Sequence, residues 1–569
     1  MNTPPDSSPA EHFRPRRTKD QNPRNRRMKW SAAGVAVVVA ASIGTGIAVN
    51  GGEEPVAAPS PIIQTTTAAP TPTPTPSPTP TKKLGPEYKQ PGPPKGSPLK
   101  PVEPMQISVS GSPVGTELNP GLIGLSLEAT DLGDPRLSGS NKEIVSSLQG
   151  LGKPMLRFGG NAVDRRFFWT SSNEPLPGGL DGDDAHPVRA VGPEDLTRIN
   201  TLLEAADATI SLTVDLGHYD PQRAADMMGY ASKTFGDRLV GFTVGNEPNG
   251  YPKTGLRPSD WGIDDYLTEL NAYADAIYKK APKVPIVGPG TYSESWWAPF
   301  ANADLPQKKI LSFHHYPLSQ CDGSKDPQGE PIIENLMDRT IHVRAQDYRK
   351  RAMAPANDAG LQTWIPETGI SACPGSNETT ETHASALWSV DYALSAAQLG
   401  IPRLGFHSSL LTCTGGPPMS AICAGGPYLK PDGTFDERAN YFGLSLVSEL
   451  QPGKFLKLEQ AGGGLSFAYA LKQKDGSVNV VVVNENNPAQ HAQTKVTVKL
   501  PNKAATGTMT QLAGANYTVE NESQIDGKEA PAIDPAKRPR IPGFQPGTDS
   551  VTLPVTAGTA SVFHFTFNG

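Results

Sequence analysis

Between residues 105 and 450 short apolar runs alternate with longer helical patterns, and this alternation limits the fold more than any other feature. Eight runs read as buried strands, at 122–128, 155–160, 209–216, 239–246, 284–288, 310–316, 363–367 and 403–407. Each is short and mostly apolar or β-branched. Helical patterns fall between several of them, most clearly at 194–206, 222–235, 263–280 and 383–399. Eight strands with intervening helices predict an α/β fold, a (β/α)8 TIM barrel with loop insertions over 105–450. An open doubly wound sheet is the alternative. Its dinucleotide-binding form needs a glycine-rich first turn, and no G-x-G-x-x-G follows a strand, so no cofactor is expected.

After residue 451 the texture changes. Runs at 465–470, 478–483, 495–500 and 560–566 alternate or are β-branched, with turn residues between them. That pattern predicts a C-terminal all-β sandwich domain over 451–569. Residues 106–109 form a short extended segment ahead of the barrel, so the stretch 105–118 is a candidate to join this β-domain.

The residues ahead of the barrel divide into three parts. Residues 1–29 are polar and basic, and an uncharged stretch follows over about 30–50. At ~1.5 Å rise per residue, about 20 residues suffice for a membrane span. A basic flank favours the cytoplasmic side, which predicts an N-terminal membrane anchor with the rest of the chain exported. A cleaved signal segment that leaves a secreted protein is the alternative. Residues 51–104 are rich in Pro, Thr, Ser, Ala and Gly, the composition of an extended spacer. Export agrees with the four cysteines, Cys321, Cys373, Cys413 and Cys423, which allow three pairings. Cys413 and Cys423 flank a Gly/Pro-rich loop and are expected to pair, leaving Cys321 with Cys373. A net charge of −6 argues against nucleic acid as a partner. Oligomeric state is not legible.

Two of the apolar runs stop at a carboxylate. The run 239–248 ends at Glu247, and Pro248 forbids strand continuation; the run 362–369 carries Glu367. A carboxylate at the C-terminal tip of a buried strand serves packing poorly and an active site well. By count these are the fourth and seventh strands, so both carboxylates should face the same mouth. Two such groups suit glycoside hydrolysis, where one protonates the leaving oxygen and the other attacks or activates water. A buried salt bridge is the competing role for either glutamate alone. Arg157, within the second strand, is a candidate brace for the pair or a structural ion-pair partner. His314 and His315 lack a third ligand at metal spacing, so no metal is expected. Trp169, Trp296 and Trp297 are candidate platforms for sugar rings, with core packing as the alternative.

Four motifs together resemble glycoside hydrolase family 79, which holds heparanase and bacterial and fungal β-glucuronidases. They are Val244-Gly-Asn-Glu-Pro248, Leu156-Arg-Phe-Gly-Gly-Asn-Ala-Val-Asp164, Ser312-Phe-His-His-Tyr-Pro317 and Trp364-Ile-Pro-Glu-Thr368. The resemblance covers about 102–569 and implies a retaining, exo-acting β-glycosidase, with a carbohydrate substrate and no cofactor. It implies Glu247 as acid/base and Glu367 as nucleophile. It further implies Asn246 at the sugar 2-hydroxyl, Tyr316 beside the nucleophile, Glu128 and Asn161 on sugar hydroxyls, and Tyr428 at a uronate carboxylate. One departure stands out. Members of the heparanase type carry a glycine pair after the nucleophile, whose amides hold the uronate; here Cys373-Pro374-Gly375 occupies that region, and Pro374 has no N–H. A β-glucuronidase is therefore expected, with a β-glycosidase for a neutral hexoside and a non-catalytic glycan-binding surface protein as alternatives.

Overall fold

The computed structural model describes residues 86–89, 99–184, 186–321, 325–373, 377–408, 410, 420–426, 432–450, 452–520, 522–528 and 535–568. The basic segment 1–29, the apolar stretch 30–50, most of the spacer, Cys413 and Tyr428 lie outside these residues, as do Pro374 and Gly375. Among the described residues no helix is long and apolar enough to cross a membrane.

Eight parallel strands close into a barrel in sequence order. They are β1 (Ile123–Glu128), β2 (Met155–Gly159), β3 (Thr209–Val214), β4 (Leu239–Val244), β5 (Ile286–Thr291), β6 (Lys308–His315), β7 (Gln362–Thr368) and β8 (Leu404–His407), with β8 pairing back onto β1. Each is buried along most of its length, as strands sealed inside by side chains and outside by helices must be. The fold class is therefore the predicted TIM barrel, with small shifts of boundary. β5 begins past Pro285 and runs to Thr291, and β4 stops at Val244, where Gly245 (φ 75°) turns the chain.

Helices Pro193–Ala206 and Pro221–Phe235 each start on a proline, whose missing N–H costs nothing in the first turn. Asp220 caps the second by accepting from the amides of Gln222 and Arg223 at 3.1 and 2.9 Å. The helix Arg339–Asp358 escapes the hydrophobic pattern. Its buried stripe is Ile341, Ala345, Arg349, Ala352 and Ala356, mostly alanine, among many charges and with Pro355 near its end. Helix His383–Leu399 is buried on all sides, because it lies between the barrel and the β-domain. From it Asp391 accepts the Tyr469 hydroxyl at 2.6 Å, and the His383 ring bridges Ser523 at 2.9 Å and the Gly558 carbonyl at 2.8 Å.

The β-domain is a mixed sheet folded over its own core. Its strands are Met105–Leu118, then β9 (Gly453–Ala461), β10 (Ser466–Lys472), β11 (Val478–Asn484), β12 (Gln493–Ala513), β13 (Thr548–Thr556) and β14 (Thr559–Phe567), with the two-residue strand Gln524–Ile525 pairing the end of β12. The 21-residue β12 serves both layers, pairing β13 along its first half and β14 along its second. Strand periodicity assigns alternate valines of β11 to different cores. Val480 and Val482 pack with Val496, Met509 and Phe563 inside the sandwich, whereas Val481 and Val483 join the core that includes the barrel. Strand Met105–Leu118 runs antiparallel to β9 and parallel to β12 before the chain enters the barrel.

The end of the Pro-rich tract is not a free spacer. Tyr88 donates its amide to the Arg540 carbonyl at 2.8 Å, Arg540 returns a bond to Pro86 at 2.9 Å, and the Tyr88 ring packs on the sandwich core. Lys100 is likewise bonded to the Gln490 carbonyl at 2.7 Å. A tyrosine inside a polar tract is the sequence sign of such docking.

Candidate active site

Glu247 follows β4 in a left-handed conformation, φ 49° and ψ 52°. For a residue with a Cβ this costs about 1–2 kcal/mol, so neighbouring bonds must hold the turn. The Glu247 amide donates to the Gly290 carbonyl near the end of β5 at 3.2 Å, and the Glu247 carbonyl accepts from Gly250 at 2.8 Å. The larger clamp is Asp164, buried in the loop after β2. Its Oδ2 accepts the Asn246 amide at 2.9 Å, and its Oδ1 accepts the amides of Leu216 and Gly217 at 2.9 and 3.0 Å. Burial, helped by the charge of Asp215, pushes the Asp164 carboxyl up to about 6 against the pull of these amides.

Glu367 lies near the end of β7, in register with His314 of β6. Its Oε2 pairs with the Arg157 guanidinium, which is 1% exposed and also reaches Ser126 Oγ at 2.9 Å and Asn246 Oδ1 at 2.6 Å. Its Oε1 accepts the Tyr316 hydroxyl at 2.9 Å and lies 3.6 Å from His407 Nδ1. Burial alone would raise the Glu367 carboxyl. The charges of His314 and Arg157, with the hydrogen bond from His407, overcome it and hold the group well below the ordinary carboxylate range. Burial and the two glutamate charges push the Tyr316 hydroxyl far up, so it keeps its proton and donates.

Glu247 and Glu367 meet across His314. One oxygen of each carboxylate and a His314 ring nitrogen all lie within 4.8 Å of one another. His314 Nδ1 is 2.9 Å from Glu247 Oε1 and 3.7 Å from Glu367 Oε2. The donor types would suit a divalent ion, but the same Glu367 oxygen already faces the Arg157 guanidinium, which would repel one. A cavity of about 630 Å³ opens over the pair, lined by Asn161, Tyr316, His407 and the loops beyond β5 and β6. That size suits a small ligand.

The structure brings together most of the sequence-predicted residues. Glu247, Glu367, Tyr316 and Asn161 line the cavity. Asn246 is buried beside Glu247, and its Nδ2 has no partner among the described residues. Glu128 stands one layer behind. Its carboxylate accepts the Ala162 amide at 2.7 Å and lies 3.5 Å from Arg166 and 3.8 Å from His407. Gly160 (φ 66°) passes so close to that carboxylate that no Cβ would fit. Tyr428 lies outside the described residues. The three tryptophans are a correction: Trp169, Trp296 and Trp297 are 2, 8 and 1% exposed and none lines the cavity, because burial of the largest apolar rings wins over display. Sequence reasoning passed over Asp164 and His407. His407 ends a barrel strand, the same signal that marked Glu247; Asp164 carries no such mark, since its partners come from β3 and β4.

A disulfide joins Cys321, after β6, to Cys373, after β7, as the sequence anticipates. Cys423 is also disulfide-bonded.

A sequence model described as Glycosyl hydrolase family 79, N-terminal domain, matches residues 199–394. Baicalin-beta-D-glucuronidase of Scutellaria baicalensis is 22% identical over 382 residues, covering 61% of this chain and 68% of that protein. A beta-glucuronidase of Neurospora crassa is 22% identical over 340 residues, covering 54% and 60%. Among solved structures, a 4-O-alpha-L-rhamnosyl-beta-D-glucuronidase from Fusarium oxysporum superposes with TM-score 0.60 at 16% identity, covering 80% of this chain and 99% of that one. A GH51 arabinofuranosidase from Xanthomonas axonopodis pv. citri gives TM-score 0.60 at 12% identity, covering 82% and 100%.

Proposed function

We propose that this chain, a glycoside hydrolase carrying the family 79 N-terminal domain, is a retaining β-glucuronidase working by double displacement. The observation that carries the proposal is the spacing of Glu247 and Glu367, whose oxygens approach within 4.8 Å. Retaining pairs stand about 5–5.5 Å apart, whereas inverting pairs leave about 6.5–9.5 Å for a water. Unequal surroundings support the division of labour. Glu367 is buried and held as a carboxylate, the form a nucleophile needs, while Glu247 is 22% exposed at the cavity.

In the first step Glu367 attacks the anomeric carbon, the bond to the glycosidic oxygen breaks, and Glu247 gives that oxygen its proton. A glycosyl ester on Glu367 results. In the second step Glu247, now a carboxylate, takes a proton from water, whose oxygen attacks the anomeric carbon and frees Glu367. Asn246 offers its unpartnered Nδ2 to the sugar 2-hydroxyl, and Asn161 contacts another hydroxyl. The choice of glucuronide rests on the names of the two sequence relatives and of the Fusarium structure.

Azide rescue of Glu367→Gly tests the mechanism. The expected product is the α-glycosyl azide; a β-azide, or full activity without azide, overturns it. A panel of p-nitrophenyl β-glycosides tests the sugar, with turnover expected for the glucuronide. We further propose that the enzyme works outside the cytoplasm, which the Cys321–Cys373 disulfide supports. Fractionation of the source cells tests this, and activity confined to the cytosol refutes it.

A further inference from the structure

We propose that Tyr292 is a stacking platform for the leaving group, and that the natural substrates carry a flat ring directly on the glycosidic oxygen. The inference deepens the hydrolase reading and rests on Glu247 being the proton donor. A donor must face the oxygen it protonates, so the leaving group lies on the Glu247 side of the cavity, away from Glu367.

The two sides of the cavity differ in chemistry. The ends of β2 and β8 supply Asn161 and His407, which are hydrogen-bonding groups suited to sugar hydroxyls. Beyond β5 and along helix Arg339–Asp358 the wall is built from Tyr292 and Tyr348, with arginines beside them. Tyr292 directly follows β5, whose Gly290 carbonyl holds the Glu247 amide. Its ring is 45% exposed, and the Glu247 charge acts on its hydroxyl.

The platform is held from behind. The Tyr348 hydroxyl donates to the Tyr292 carbonyl at 2.6 Å, and the Tyr348 ring stacks on His315 at 4.7 Å and meets Trp297 edge-on at 5.1 Å. Tyr348 is thus fixed by the core and fixes the backbone of Tyr292. With its backbone held, the Tyr292 ring has only its side-chain torsions to order when a second ring stacks on it.

Charge on this wall does not favour a second acidic sugar. Arg344 is paired with Asp326 at 2.6 Å, Arg351 with Glu294 at 2.8 Å and Asp347 with Lys350 at 3.8 Å, so no charge stands alone there. With its cations neutralised, the wall offers planar surface rather than a seat for an anion. An aromatic aglycone and the face of a neutral sugar share the flat chemistry that such a surface takes.

The test compares kcat/KM for the p-nitrophenyl and methyl β-glycosides of whichever sugar the wild-type enzyme hydrolyses, with a neutral disaccharide of that sugar as a third arm. Tyr292→Ala is expected to lose roughly three- to tenfold on the p-nitrophenyl glycoside and less than about twofold on the methyl glycoside, which has no ring to stack. Tyr292→Phe, which keeps the ring, should stay near wild type on both. A parallel loss on the disaccharide identifies sugar rings as occupants too. Equal losses on the p-nitrophenyl and methyl substrates, or no loss on either, overturn the platform. Wild-type turnover of neutral glycosides alone overturns the glucuronide reading and leaves this comparison intact; no turnover of any glycoside overturns both. Because the ring is half exposed, the fold should tolerate either variant, which circular dichroism checks.

Discussion

Arg157→Met converts the central guanidinium of the site into an apolar chain of similar length. Arg157 and Glu367 are 1 and 7% exposed, so solvent screening offers little relief when one partner is removed. Losing one member of such a buried pair costs about 3–5 kcal/mol, because the other charge is stranded. Glu367 keeps His314, the strongest of the groups that lower it, and His407, so the smaller figure, ~3 kcal/mol at pH 7, applies here. The sign of the pH dependence follows from linkage. In the wild type Glu367 is held well below its ordinary value of 4.5, so it contributes stability above about that pH and loses it as pH falls through the folded value. In the variant the folded carboxyl moves up and that contribution shrinks. The gap in melting temperature between the two proteins should therefore be widest near neutrality and close only as pH falls from the variant's folded value toward the wild type's, which lies well below 4.5. A series of thermal melts from pH 7 down into the acid range measures it, with Glu367→Gln and the double variant completing a cycle. Most of the loss should vanish in the Glu367→Gln background. An equal loss across the whole pH series and in both backgrounds would show that the cost is packing, and the electrostatic account would fail.

Other outcomes follow from other parts of the molecule. Asp164→Asn sets an amide N–H against the Asn246 N–H, loosening the strained turn at Glu247; kcat should fall about ten- to a hundredfold with KM little changed. A rise in KM at constant kcat would refute the positioning role. Burial, with the charge of Asp391, pushes the Glu485 carboxyl well above its ordinary value, so stability falls as pH rises above 4.5. Glu485→Gln should raise the melting temperature near neutrality and change it little at pH 4, and a drop at neutral pH would contradict this. Replacing both Cys321 and Cys373 by serine opens a link across 52 residues, worth ~4 kcal/mol of loop entropy. A marked fall in melting temperature should follow, and a variant as stable as wild type would show that the loops hold without the bond.

Legibility from sequence tracked burial. The barrel strands were readable because each is a short apolar run with both faces covered, and the valines of β11 stand out for the same reason. Glu247 and Glu367 were visible as carboxylates where apolar runs end. The helix Arg339–Asp358 was not, because an alanine stripe carries little hydrophobic contrast. Its invisibility hid Tyr348 and the arginine wall as well. Asp164 escaped for a different reason: its importance lies in three amides from the ends of two other strands, a convergence that only the closed barrel creates. The tryptophans misled because ring size predicts burial better than contact with a ligand. Tyr292, smaller and able to face water with its hydroxyl, stays on show at the cavity.

The lacing of Pro86–Lys89 and Lys100 onto the β-domain decides where mechanical load goes. Tension arriving from the N-terminal side meets the bonds to Arg540 and Gln490 first, and next the strand Met105–Leu118, before it reaches the first barrel strand at Ile123. That strand is bonded to β9 over Gln106–Leu118 and to β12 over Met105–Ser108, and the antiparallel bonds to β9 run across the line of pull, so they share the force instead of opening one at a time. The sandwich thus serves as a strain relief, much as a cable clamp spares the connector behind it. A pull applied ahead of residue 86 would then leave the spacing of the two carboxylates unchanged.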